Sequence, residues 1–250
     1  MIFTIAFREL RSMFLSPLAW TVLAVTQVIL AWIFFTQIDA FFAIQSQLTT
    51  LPNAPGVVDL VVAPLFEVSS IILLMVTPLL TMRLISEERR NGTLSLLLSA
   101  PLSNTEIVLG KYIGIVLFML LFVCMLSLMP LSLLSGAELD LGKLFAGLLA
   151  LFLLLAAFSA AGLYMSSLTP SPVIAAVSTF GLLLLLWIIE RNAGGSASAD
   201  GALSWLSLLN HFAPMLRGII DTADITYFVL FITVFVMLTI RQMDSQRLQN

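Results

Sequence analysis

Ionisable residues are scarce in this chain, and the stretch from Arg83 to Tyr112, RLISEERRNGTLSLLLSAPLSNTEIVLGKY, gathers a large share of them. Arg83, Glu87, Glu88, Arg89, Arg90, Glu106 and Lys111 stand there between two long apolar runs. Interleaved charges of this kind make neither a nucleophile nor a metal site. Their chemistry is recognition, because opposite charges fix the register of a surface that another protein reads. A loop that only joins two helices needs no such pattern, so the stretch reads as a docking surface. Elsewhere the residues that could carry catalysis stand alone. His211 is the single histidine, with no clustered partner for a metal, so a surface or cap role is expected of it. Cys124 is the single cysteine and can form neither a disulfide framework nor a CxxC site. No HExxH, GxSxG or GxxxxGK[ST] run occurs, so the chain carries no motif for peptide hydrolysis, acyl transfer or nucleotide binding.

The elements that must position the charged stretch follow from composition. The chain is 60% hydrophobic and 10% charged, with a mean hydropathy of +1.09, against roughly half apolar and a quarter charged in soluble domains. An all-α integral membrane protein is implied. The net charge of -3 gives no reason to expect nucleic acid as a partner. A hydrocarbon core about 30 Å thick takes roughly 20 apolar residues as helix, and six spans are expected at 17–37, 64–82, 107–128, 144–166, 172–189 and 225–240. Ser16 before Pro17 and Ser171 before Pro172 place an N-cap serine ahead of a proline at the first helical position. Ser103 and Glu106 have the spacing of a capping box.

Residues 1–15 form an amphipathic segment, with Phe3, Phe7, Leu10 and Phe14 recurring among Arg8, Glu9, Arg11 and Ser12. It is expected to lie in the headgroup layer. Under six spans, Arg8, Arg11, Arg83, Arg89, Arg90, Lys111, Arg241 and Arg247 fall on one side, and Lys143, Arg191 and Arg217 on the other. The positive-inside rule then puts both termini and the charged stretch in the cytoplasm, and the bacterial inner membrane is the expected location.

Within the charged stretch, Asn91-Gly92 accepts the left-handed turn that ends helices. Thr93 can cap a short helix whose Leu94, Leu97 and Leu98 share one face, and Pro101 ends it. Periodicity leaves two readings open: a connector that buries its leucines in headgroups, or a helix presented to a partner.

The run EERRNGTLSLLLSAPLSNTEIVLGKY resembles the signature of ABC-2 type transporter permeases. A second run, HFAPMLRGIIDTADITYF from His211 to Phe228, is similar to the stretch before the last span in the gliding-motility-associated permease group of that family. The resemblance implies a type V exporter-like fold, with 87–101 as the coupling helix region. It assigns ATPase coupling to Glu87, Glu88, Arg89, Gly92, Thr93, Leu94, Leu97 and Leu98. It further implies a P-loop ATPase subunit in trans, which binds ATP and Mg, and a second permease copy or similar chain. It leaves room for a periplasmic accessory protein. No cofactor is expected in this chain itself, and no enzymatic activity.

Glu67, Pro78, Arg217 and Asp221 are the candidates for a gate or an outer-interface role. Glu67 lies about 24 Å before Arg83 along a helix, which favours a solvated interfacial carboxylate over a ligand for substrate. Pro78 should kink the second span. Gly110 and Gly114 make a GxxxG, and Ser159, Ala160, Ala161 and Gly162 a small-residue patch. Either serves folding within one chain as well as dimerisation. In the outer loop 190–224, Trp205, Leu208, Leu209, Phe212, Leu216 and Ile219 recur at helical spacing, and Pro214 should divide them into two short re-entrant helices. An exporter is the expected function. A force transmitter acting on a periplasmic partner without moving solute is the alternative. An ion-coupled carrier is disfavoured, because no span offers an ionisable residue near the bilayer centre.

Overall fold

The computed structural model describes residues 1–48, 55–93, 103–136, 139–188 and 207–249, and no strand occurs among them. Nine α-helices carry the described chain: α1 (Ile2–Leu15), α2 (Pro17–Leu48), α3 (Ala63–Thr81), α4 (Ser86–Arg90), α5 (Asn104–Ser132), α6 (Leu141–Leu168), α7 (Pro172–Ile188), α8 (Leu208–Leu216) and α9 (Thr222–Gln249). A π-helical turn, Val58–Val62, leads into α3. All-helical architecture is what a bilayer demands, since a helix satisfies its own backbone.

Among the described residues five segments are long and apolar enough to cross a membrane: Pro17–Gln45, Val58–Arg90, Asn104–Ser132, Leu141–Leu168 and Thr222–Gln246. The fifth expected span, 172–189, corresponds to α7, which is apolar but has 17 residues. At 1.5 Å per residue that is about 26 Å, a little less than the hydrocarbon core. Several helices outrun the apolar runs, most of all α9, which spans Thr222–Gln249, and α2, which continues to Leu48. Hydropathy marks only the lipid-immersed part, whereas each residue added to an existing helix closes another backbone bond.

The bundle is organised around α6, of whose most apolar stretch 72% is buried, against 28% for α2 and α9. Lipid tails solvate leucine as well as protein does, so close approach rather than water exclusion drives helix association. Small residues permit it. A Cβ at Gly162 would collide with the Thr81 side chain of α3, and one at Gly147 would stand 2.8 Å from the Phe66 ring. Cross-links to neighbours are polar and sparse: the Tyr112 hydroxyl donates to the Ala156 carbonyl at 3.2 Å, and the Gln27 amide reaches the Phe122 carbonyl at 3.5 Å.

The GxxxG of α5 receives α1. A Cβ at Gly110 would lie 2.7 Å from Cβ of Ile5, and one at Gly114 would lie 2.9 Å from Cβ of Glu9. Intrachain packing therefore occupies this motif. α1 has two working faces rather than the single lipid-directed face expected. Phe3 and Phe7 are 81% and 69% exposed, while Ile5 and Ala6 are buried in the α5 groove.

The two ends of the bundle differ in content. α1, α4, the start of α5, the end of α6 and the end of α9 meet at one, here the terminal end, where Asn104 donates to Asp244 at 2.6 Å and Gln246 to the Ser167 carbonyl at 3.2 Å. Asp59, Lys143, His211 and Asp224 gather at the other. In a Cys124→Ser background, cysteines at Ser245 and Ser198 should react with a membrane-impermeant maleimide from inside and outside respectively. The reverse pattern in intact cells would overturn the orientation expected from charge.

Candidate functional site

Helix α3 does not run unbroken into α4. It ends at Thr81, and Met82 to Ile85 form a turn, one turn of helix beyond Pro78. A buried hydroxyl from α6 bridges the break: Ser166 Oγ accepts from the backbone N–H groups of Ile85 (3.1 Å) and Ser86 (3.0 Å), and donates to the Met82 carbonyl (3.0 Å). Three backbone groups that an intact helix would pair internally are thus satisfied by one side chain. Pro78 itself lies inside α3, buried.

Beyond the break, α4 carries Glu88 inward. Its Oε1 lies 2.8 Å from Nζ of Lys111 and 3.5 Å from the Arg8 guanidinium, while Glu9 of α1 approaches Nζ at 3.4 Å. Lys111 is 1% exposed. A lysine ammonium taken out of water needs such counter-charges, and two carboxylates with two cations leave the cluster neutral. Oε2 of Glu88 is buried and has no hydrogen-bond partner among the described residues. The cluster joins α1, α4 and α5 across three separate parts of the sequence. A cavity of about 440 Å³ lies beside it, lined among others by Ser12, Leu79, Arg83 and Glu87.

Of the remaining expected coupling residues, Glu87, Arg89, Gly92 and Thr93 are described, on α4 and the turn after it. Glu87 pairs weakly with Arg83 at 4.0 Å, one helical turn away. Arg89 donates to the last carbonyls of α6, Ser167 at 3.3 Å and Leu168 at 3.5 Å, where the negative end of the helix dipole favours a cation. Gly92 takes a φ of +71°, the left-handed turn expected of Asn91-Gly92. The Thr93 hydroxyl turns back to the Glu88 carbonyl at 3.2 Å. Leu94, Leu97 and Leu98 lie outside the described residues, as do Pro101 and the rest of the expected coupling helix. The chain resumes at Ser103, whose hydroxyl accepts from Glu106 N while the Glu106 carboxylate accepts from Ser103 N, both at 3.2 Å. The expected capping box is formed.

Sequence reasoning missed Glu9, Lys111 and Ser166 as parts of the site. Lys111 had a signal, because a lysine inside an apolar span must find carboxylates. Ser166 had none, since a serine bonded across helices looks in sequence like one bonded to its own helix.

At the opposite end, Glu67 and Arg217 line a common cavity. Asp221 does something else: its carboxylate accepts from Ala223 N at 3.1 Å and caps α9. α8 is a single helix through Pro214, not two pieces divided by it, because the proline falls in the last turn before the chain leaves the helix. Trp205 lies outside the described residues. His211 is neither on the surface nor alone. It is buried, its Nδ1 lies 2.7 Å from Asp224, and its ring stacks on Tyr227 at 4.0 Å, tying α8 to α9. Its partner is 13 residues ahead and belongs to another helix, which is why adjacency in sequence did not reveal it.

Gly218 explains the Arg-Gly pair. Its φ is +84°, and a Cβ there would lie 2.8 Å from Cγ of Lys143, whose Nζ pairs with Asp59 at 2.8 Å. Gly218→Ala should cost about 1–2 kcal/mol from backbone strain alone and displace Lys143 besides. The thermal midpoint in detergent should fall, whereas Gly181→Ala, where a Cβ meets nothing within 4 Å, should leave it in place.

Comparison with curated proteins gives no match. The family model described as ABC-2 family transporter protein matches residues 3–246, from α1 through the terminal turns of α9. With several apolar helices able to cross a bilayer and no nucleotide-binding motif of its own, the chain belongs to the ABC-2 transporter family as a multi-pass membrane permease component rather than the ATPase.

Proposed function

We infer that this chain is the permease subunit of an ATP-driven exporter in the inner membrane, coupled to a separate P-loop ATPase that binds ATP and Mg. The observation that carries this reading is the buried Glu88–Lys111–Glu9 cluster. It fastens the segment next to the family's docking region to two further helices, so a push on α4 is delivered to α1 and α5 together. Glu87, Glu88, Arg89, Gly92 and Thr93, with Leu94, Leu97 and Leu98, are the proposed coupling residues. The break at Met82–Ile85 is the hinge, and the cavity beside α4 gives it room to tilt. Two copies of the chain, or this chain with a similar one, would enclose the path, and a periplasmic accessory protein fits the same scheme. The Arg217-Gly218 turn supports a place near the gliding-motility-associated permeases.

The test is purification from native membranes in mild detergent. A stoichiometric P-loop ATPase with ATP hydrolysis in the preparation supports the exporter reading. A chain that purifies alone and hydrolyses nothing defeats it.

A further inference from the structure

The cavity at the end of the bundle opposite the termini has a volume of about 540 Å³ and draws its walls from the start of α3, the start of α6 and the whole of α8. Four charged residues line it, and they are not equivalent. Asp59 and Lys143 satisfy one another, with Nζ 2.8 Å and 2.9 Å from the two carboxylate oxygens. Glu67 and Arg217 remain, of opposite sign, both exposed, and neither side chain has a hydrogen-bond or ion-pair partner among the described residues. The apolar part of the wall comes from half-buried Ala63 and Pro64 of α3 and half-buried Leu209 and Ala213 of α8, backed by the buried Phe212 and Leu216.

A ligand complementary to this cavity carries an anion for Arg217, a cation for Glu67 and an apolar body for α8. Its height is set by α3: Glu67 lies 14 residues before Thr81, about 21 Å along the helix, which places it near the headgroup layer at that end. Arginine binds phosphate in a bidentate fork, and a carboxylate accepts hydrogen bonds from a primary ammonium. The volume lies within the ordinary range for small-molecule sites, roughly 300–1,000 Å³. We propose that this cavity is a binding site for a zwitterionic phosphate–ammonium headgroup, with the phosphate on Arg217, the ammonium on Glu67 and the start of the hydrocarbon against Pro64, Leu209 and Ala213. The Asp59–Lys143 pair holds the π-helical turn ahead of α3 to α6 and keeps the cavity neutral, so a net anionic lipid gains nothing from it beyond the Arg217 contact. The site is distinct from the coupling region and does not depend on an ATPase.

Native mass spectrometry of the delipidated full chain, offered equal amounts of phosphatidylethanolamine and phosphatidylglycerol with the same acyl chains, tests this. Phosphatidylethanolamine should be retained at least about tenfold more strongly, the size expected of one charge-assisted contact. Glu67→Gln should bring the two lipids to parity, Arg217→Ala should weaken both, and Arg217→Lys should keep part of the binding. Both positions are exposed, so the variants should fold, and an unchanged gel-filtration profile verifies it. Equal retention of the two lipids by the wild type, or undiminished preference in Glu67→Gln, overturns the proposal. Competition by soluble phosphoethanolamine assigns the site to the free headgroup; bound lipid that resists it assigns the site to membrane-embedded lipid. Either outcome upholds the zwitterion chemistry.

Discussion

Replacing Lys111 with methionine should lower the stability of this protein more than any other single polar change at the terminal end. The ammonium is 1% exposed and stands between Glu88 and Glu9. Its removal leaves two mostly buried carboxylates with only the exposed Arg8 guanidinium, 3.5 Å from Glu88, to balance them. Breaking a buried ion pair from one side costs about 3–5 kcal/mol, a large part of the roughly 5–15 kcal/mol that holds a typical domain. The expected result is a collapse of monodisperse yield in gel filtration and a thermal midpoint too low to measure in mild detergent. Removing all three charges should reverse most of that loss, because isosteric neutral groups leave no stranded ion. The Lys111→Met, Glu9→Gln, Glu88→Gln triple variant is therefore expected to fold. If α4 transmits force through this cluster, it should fold without restoring ATP-dependent coupling. A Lys111→Met protein as stable as the wild type would show that the lysine is not held between these carboxylates.

Aspartate at both Leu97 and Leu98 should abolish association with the ATPase. By sequence spacing the two leucines are expected on one face of a helix. A leucine seated in a partner's groove contributes about 2 kcal/mol or more when it is a central anchor, roughly 30-fold in affinity for each, and a buried aspartate adds its own desolvation cost. Pull-down with a tagged permease should lose the ATPase band while the permease keeps its gel-filtration profile. The Lys111 and leucine variants fail in opposite ways, one in folding and one in partnership, so neither result can be mistaken for the other. Undisturbed co-purification of Leu97→Asp/Leu98→Asp would remove these residues from the contact.

Much of the architecture was legible because the bilayer imposes its own arithmetic. Runs of apolar residues of the right length can only be helices there, and each of the six expected segments lies largely within one. Local signals also carried through: the Ser103–Glu106 box closes reciprocally, and Gly92 turns left-handed. What stayed hidden were relations between distant residues. The break at Met82–Ile85 has no glycine to announce it and depends on a serine some 80 residues away. Proline is the usual marker of a broken helix, yet Pro78 and Pro214 both lie inside helices, the first a turn ahead of the break and the second in a final turn. The partners of Lys143 and His211 are likewise properties of packing, not of spacing along the chain.

The seat of α1 on α5 has a consequence for biosynthesis. Glu9 and Lys111 are 102 residues apart, so α1 leaves the ribosome well before its groove exists. At about 5–20 residues per second that interval is roughly 5–20 s. The first helix must wait at the membrane surface with Ile5 and Ala6 unpacked, and the exposed Phe3 and Phe7 face gives it a way to rest there. Insertion of the third span then captures a segment already lying beside it. Assembly of the terminal end is therefore timed by the arrival of Gly110, Lys111 and Gly114, and the two glycines act as the latch that closes it.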